Sequence, residues 1–386
     1  MHLCNMHVQT PHSFSVYSSV DDLVRSAADQ TIAVLGINDG LSVDGFKEFD
    51  SSCRSRHIYP LYNIALPIRC SFEHHHTVRH HQSAEEHLCR LVGTALRFPP
   101  LLNSDSRNLL ASLWKASQDN IWKLIDIINT VLIQHEMSRM LDYGTIRSTY
   151  AKSSVYPQHV VLALYDFLLA RDTESDASEP LLRVLFGQIG FNSDPAERQS
   201  VCVAILRNLL EQAPYSSVFI SGEPVIHLLQ AKQVILQAGG IPCFHCSFND
   251  TDEWMKESEG PELLSRLLSS KGIHAVEFNP GETTIDLLQT FMRYLYHHDF
   301  CVCIGTGSTG WPDSPLVPVT ADGKKLDDDL LAMGYEGACV LAAHQEMHYR
   351  NRRGFLDESG KRLIPPDQMK QFVTLGDEVI RTVTGR

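Results

Sequence analysis

The chain has 386 residues, enough to bury a large core and to form two domains, or one barrel carrying an insertion. Its 43% hydrophobic and 20% charged residues are typical of a globular protein, and a formal net charge of −13 argues against a nucleic-acid-binding surface. No apolar run reaches the roughly eighteen residues of a membrane helix.

The opening stretch, Met1 to Ser13, alternates: Leu3, Asn5 and His7 fall on one side, His2, Cys4 and Met6 on the other. That period predicts a short strand, and the polar run through Pro11 and His12 predicts the loop that ends it. Ser19 and Asp22 are spaced to cap a helix that carries Val20, Leu23, Val24 and Ala27 on one face. An apolar strand, Ile32 to Ile37, closes in Asn38-Asp39-Gly40, and a short helix near Ser42 to Ser52 leads to a third strand, His57 to Leu66. The unit reads as βαβ, with its polar residues at strand C-termini, where such folds build their sites.

Residues 67 to 105 read as irregular and include the histidine-rich run from His74 to His81. Leu109, Leu113, Ile121, Leu124, Ile125, Ile128 and Leu132 recur at helical spacing, and another helix is predicted from Pro157 to Leu169. A polar linker is predicted at Arg171 to Pro180, with helices near Leu181–Phe186 and Pro195–Glu211. From Val218-Phe219-Ile220 the βα rhythm returns. Strands are predicted at Ile241–Cys246, His274–Phe278 and Phe300–Ile304, the last breaking at Gly305-Thr306-Gly307-Ser308. A helix from Leu326 to Met333, an apolar run from Ala338 to Ala343 and a final helix from Pro366 to Val383 complete the chain. Strands alternating with helices imply a parallel sheet or barrel. The expected domains are residues 1–103 and 217–386 as two parts of the barrel, and 104–216 as a helical insertion packed against it.

His7-Val8-Gln9-Thr10, followed by Ser13-Phe14 and then Asn38-Asp39-Gly40, resembles the opening of the PHP superfamily of metal-dependent phosphoesterases. The resemblance spans residues 1 to 66 and 217 to about 345. It implies an α/β fold, a PHP-like distorted β/α barrel with a large helical insertion. It also implies hydrolysis of a small phosphorylated metabolite with zinc, manganese or magnesium at a cluster of His, Asp and Glu ligands. Carried over residue by residue, it makes His7 and Asp39 metal ligands. The other ligand positions hold Gln9, Phe14, Gly40, Ala65, Gly307 and Thr309, none of which can carry a negative charge. Gln9, His12, His245, Cys246, Thr306 and Ser308 are expected to line the site, and Gly305 to lie beside it.

Two readings follow: a phosphoesterase with weak or lost activity, or a catalytically silent PHP-fold module for binding or assembly that needs no metal. The run from His74 to His81 offers replacement ligands for the first reading. Asp39 between Asn38 and Gly40 also suits plain turn chemistry. A zinc site at Cys243-x-x-Cys246 is opposed by strand geometry, which sends the two thiols to opposite faces. Ten cysteines set mostly in apolar strand-like stretches, and no visible signal peptide, lead to the expectation of reduced thiols and a cytoplasmic location.

Overall fold

A computed structural model describes residues 2–71, 86–134, 141–172, 185, 198–218, 224–246, 248, 259–307 and 315–385. Three parallel strands, β1 (Leu3–Val8), β2 (Ile32–Gly40) and β3 (Tyr59–Ser71), form one half of the sheet. The other half is β6 (Ile241–Cys246), β7 (Ala275–Phe278) and β8 (Cys301–Ile304), also parallel. Between the halves runs β4 (Glu86–Thr94), antiparallel to both β3 and β6, while the two-residue β5 (Ile226–His227) adds to the upper end of β3. The sheet curls into a distorted β/α barrel, and β1 and β8 meet at a seam without ladder pairing.

Side chains replace the ladder at that seam. The buried Asn5 amide donates through Nδ2 to Thr306 Oγ1 (2.8 Å) and to the Leu316 carbonyl oxygen (2.9 Å). Its Oδ1 accepts from the backbone N–H of His7 (3.1 Å) and of Thr306 (3.1 Å). Two of these four bonds tie the first strand to Thr306 just past the last, one reaches Leu316 and one stays within β1, and the Gly307 N–H adds a backbone bond to the His7 carbonyl oxygen (3.1 Å).

Helices cover the outside as the apolar periodicity requires. Helix α1 (Val20–Asp29) is capped by Ser19, whose side chain accepts from the Asp22 N–H at 3.1 Å. Together with α2 (Phe46–Ser55), it buries Leu23, Val24, Phe46 and Phe49 against the outer face of the sheet. The helical tract contains α3 (Ser104–Gln134), α4 (Tyr143–Tyr150), α5 (Pro157–Asp172) and α6 (Arg198–Glu211). These build a separate cluster of buried side chains from Ile121 through Leu164 and Cys202 to Tyr215. Helices α7 (Leu228–Gln237), α8 (Gly260–Ser270) and α9 (Ile285–His297) return the chain to the barrel.

The interior has an apolar lower storey. Cys4, Met6, Leu61, Val92, Cys243, Cys301 and Cys303 point inward there and meet α10 (Asp328–Tyr349). The apolar run Ala338–Ala343 is therefore the buried middle of a 22-residue helix rather than a separate element. Close approach explains it. A Cβ at Gly337 would fall 2.0 Å from the Val302 carbonyl oxygen, so glycine lets α10 lie against β8. A Cβ at Gly376, on α11 (Met369–Thr384), would fall 1.8 Å from the Cys339 carbonyl oxygen.

Other expectations are corrected. Of the described residues from 67 to 105, read as irregular, Pro67–Ser71 are the upper end of β3 and Glu86–Thr94 form β4, while 72–85 fall outside the described residues. Val218 lies in a helical turn, and its expected strand partners Phe219 and Ile220 fall outside the described residues, as do residues 173–180 of the linker. Helix α4 had no counterpart in the sequence reading.

His344, buried on α10, bonds the Gly239 carbonyl oxygen through Nε2 (3.1 Å) and receives the Phe355 N–H at Nδ1 (2.9 Å). Burial, with the nearby His348, pushes its pKa down to about 3. Above pH ~6.5 both the folded and unfolded forms are neutral and stability is complete; below it the unfolded chain gains a proton that the folded one refuses. Stability should fall by about 1.4 kcal/mol per pH unit from this group as pH drops from 6.5 toward 4. His344→Gln, which keeps a donor and an acceptor, should flatten that slope in urea titrations. An unchanged slope would remove His344 as its source.

Candidate metal centre

One level above the apolar storey, the barrel interior turns polar. Between the pairs Asn5↔Leu35 and Val8↔Ile37, β1 has one residue more than β2, a bulge that helps turn His7 into the barrel. On β6, alternation sends Cys243 and His245 inward, while Phe244 and Cys246 join the outer core. On β7, Glu277 points inward between the outward Val276 and Phe278, in register with His245.

Glu277 Oε1 lies 2.6 Å from His7 Nδ1 and 2.9 Å from His245 Nδ1. All three residues are buried, and their ligand atoms lie within 4.8 Å of one another. Burial alone would raise the Glu277 carboxyl. The charge of His7 and the hydrogen bonds from His245 and His7 outweigh it, holding the group well below the ordinary carboxylate range. Gly305 makes room for this cluster, since a Cβ there would lie 2.4 Å from His7 Cβ and 3.3 Å from Glu277 Cδ.

A single divalent ion fits these residues. Two imidazoles and one carboxylate form the three-ligand set of many catalytic centres, and their ligand atoms lie within 4.8 Å of one another, the 2.6 and 2.9 Å separations being hydrogen-bond lengths that a bound ion would widen. Asn38, buried beside His7, supplies an oxygen that has no hydrogen-bond partner among the described residues.

Asp39 lies outside this group. Its Oδ1 accepts from the Thr10 N–H (2.8 Å) and Ser13 Oγ (2.5 Å), and its Oδ2 from Thr10 Oγ1 (2.6 Å). Burial raises its carboxyl above the ordinary value, although the bonds from Ser13 and Thr10 pull the other way. The residue clamps the loop after β1. His12 reaches Ser153 Oγ (2.8 Å) and Glu48 Oε2 (3.3 Å), joining that loop to the helical tract. Thr306 belongs to the Asn5 seam, and Cys246 packs in the outer core. Ser308 and the run from His74 to His81 fall outside the described residues.

Above His7 opens a cavity of about 440 Å³, roofed by the helical tract through Ser117, Asn120, Tyr156, Gln158, Leu206 and Leu210. Its walls include Gln9, Phe14, Gly40 and Ala65, all marked by the resemblance as ligand positions and all neutral. Arg90 is the one Lys or Arg among the described lining residues. Tyr156 donates from its hydroxyl to the Gly40 carbonyl oxygen (3.0 Å), fixing the start of α5 over the end of β2.

Glu277 went unnoticed in the sequence reading, and His245 was placed one residue from the ligand position. The available signal was a lone acid in the otherwise apolar Ala275-Val276-Glu277-Phe278. Glu277→Leu would leave two buried imidazoles without their shared acceptor and should cost about 3–5 kcal/mol in urea unfolding. A loss below about 1 kcal/mol would show that the cluster is not an energetic centre of the fold.

No family model and no curated protein matches the chain. Among solved structures, a candidate metal-dependent phosphoesterase from Bifidobacterium adolescentis is similar at 11% identity and a TM-score of 0.51, over 86% of this chain and 94% of that one. An amidohydrolase from Chromobacterium violaceum, solved with sulfate and no metal, matches at 15% identity and a TM-score of 0.48, over 86% of this chain and 96% of that one. The first of these shares the distorted β/α barrel fold with this chain.

Proposed function

We propose that the protein is a PHP-like hydrolase that uses one divalent ion, zinc, manganese or magnesium, on a small phosphorylated substrate. The gathering of His7, His245 and Glu277 beneath the cavity carries this reading. An ion held there would supply a Lewis acid and a lowered pKa for water. Glu277 holds both rings by their Nδ1 atoms, and His7 is the member that reaches the cavity. Arg90 offers its guanidinium to the anionic end of a substrate, while Phe14, Leu206 and Leu210 shelter an apolar part. Residues 104–216 act in this reading as the cover that excludes water from the cavity. With Gln9, Phe14, Gly40 and Ala65 neutral, a second ion lacks ligands. One ion cannot clamp both attacking and leaving oxygens, so turnover is expected to be slow.

A silent binding module is the second reading, and one observation favours it. Glu277 accepts from both imidazoles, and Thr10 and Ser13 occupy both oxygens of Asp39, so each carboxylate is satisfied by the chain's own donors. Metal analysis of protein purified without a histidine tag separates the two. The first reading expects about one equivalent of zinc or manganese, lost in His7→Ala, together with slow metal-dependent hydrolysis of phosphomonoesters. Metal-free protein that takes up no added ion and shows no turnover would leave the cavity as a binding site alone.

A further inference from the structure

Asn38 is buried on β2 next to His7. Its Nδ2 lies 3.1 Å from both His7 Nδ1 and His7 Nε2. Nδ1 faces the Glu277 carboxylate at 2.6 Å, and in the neutral tautomer that donates there the amide can donate only to Nε2. The other end of the amide, Oδ1, is buried with no hydrogen-bond partner among the described residues. General looseness does not explain this. Asn63, paired with Asn38 across the ladder, donates to the Met6 carbonyl oxygen (2.7 Å) and accepts from Thr94 Oγ1 (2.8 Å) and the Ala95 N–H (3.0 Å).

We propose that Asn38 Oδ1 is a fourth protein donor to the metal centre, brought into place by a half-turn of the amide when the ion binds. The inference rests on the metal reading above. Once His7 gives its lone pair to a cation, Asn38 Nδ2 has nothing to donate to and presents positive hydrogens to positive charge. Rotation about the terminal torsion, which is broad and roughly two-fold, exchanges nitrogen for oxygen near the ring nitrogens and gives Oδ1 the ion as its partner. Two imidazoles, a carboxylate and an amide oxygen form a borderline-to-hard set. It discriminates against soft copper(I) and leaves coordination positions for water and substrate.

The test uses full-length, tag-free protein stripped with chelator and titrated calorimetrically with zinc(II) or manganese(II). Cobalt(II) absorption serves as a second measure of the donor set. Asn38→Leu should weaken binding by about tenfold or more and alter the cobalt spectrum, while Asn38→Asp should bind at least as tightly as the unmodified protein. The unmodified protein labelled with nitrogen-15 at asparagine gives a readout that does not depend on whether Asn38→Leu folds. Zinc should shift the Asn38 side-chain amide resonances, assigned by their absence in Asn38→Asp. Wild-type affinity and spectrum in Asn38→Leu, or amide resonances unmoved at saturating zinc, would overturn the inference while leaving the three-residue centre standing. Absence of binding by the unmodified protein would instead remove the metal reading itself, and this inference with it.

Discussion

A curled sheet whose first and last strands form no ladder must close some other way, and here a buried amide does it together with one backbone bond, from the Gly307 N–H to the His7 carbonyl oxygen (3.1 Å). Asn5 gives two hydrogen bonds and receives two, reaching Thr306, Leu316 and the backbone of His7. The closure also fixes the site, because the N–H it accepts belongs to the residue whose ring meets Glu277. Aspartate at the same position would replace two donors with acceptors and leave the Leu316 carbonyl oxygen facing a carboxylate without a donor. Barrel closure and site geometry are thus one constraint.

The two storeys of the interior follow from which residues alternation sends inward. Below, thiols and aliphatic side chains pack against α10, whose glycines bring helix backbone against strand backbone. Above, one carboxylate enters a space already stripped of water, and its charge is stabilised by two imidazoles on different strands. A buried anion tolerates such a position only with charged or strongly donating neighbours. Glu277 therefore binds His7 on β1 and His245 on β6 into one unit. Gly305, the first residue after β8, leaves the room that unit needs.

The helical tract has its own cluster of buried side chains, yet it does not stand clear of the barrel. Ser153 meets His12, Tyr156 meets Gly40, and Lys152 pairs with Glu48. Trp114 donates to Ser154 at 2.8 Å, so the tract is also fastened within itself close to that junction. These contacts hold the roof over a cavity walled by side chains too short or too apolar to fill it.

Local pattern determined much of the fold. Alternation located β1, short apolar runs in a βα rhythm located β2, β6, β7 and β8, helical spacing located α1 and α3, and the resemblance at His7 to Gly40 pointed to a barrel. Strand β4 was hidden because it runs antiparallel in an otherwise parallel rhythm, and the charged Arg90, on one face of the strand with Leu88 and Val92, blurs the alternation. The run Ala338–Ala343 looks like a strand because a helix buried on every side has no polar face to betray its period. Asp39 shows the same limit at the site: the sequence gives a carboxylate at a strand end, and only the folded loop decides that Thr10 and Ser13 occupy both its oxygens. His7, His245 and Glu277 are separated by up to 270 residues, and no local signal says that their side chains meet. Their meeting depends on a bulge in β1, on the register of β6 with β7, and on a glycine after β8. Those are properties of backbone packing between distant segments, which composition and periodicity do not carry.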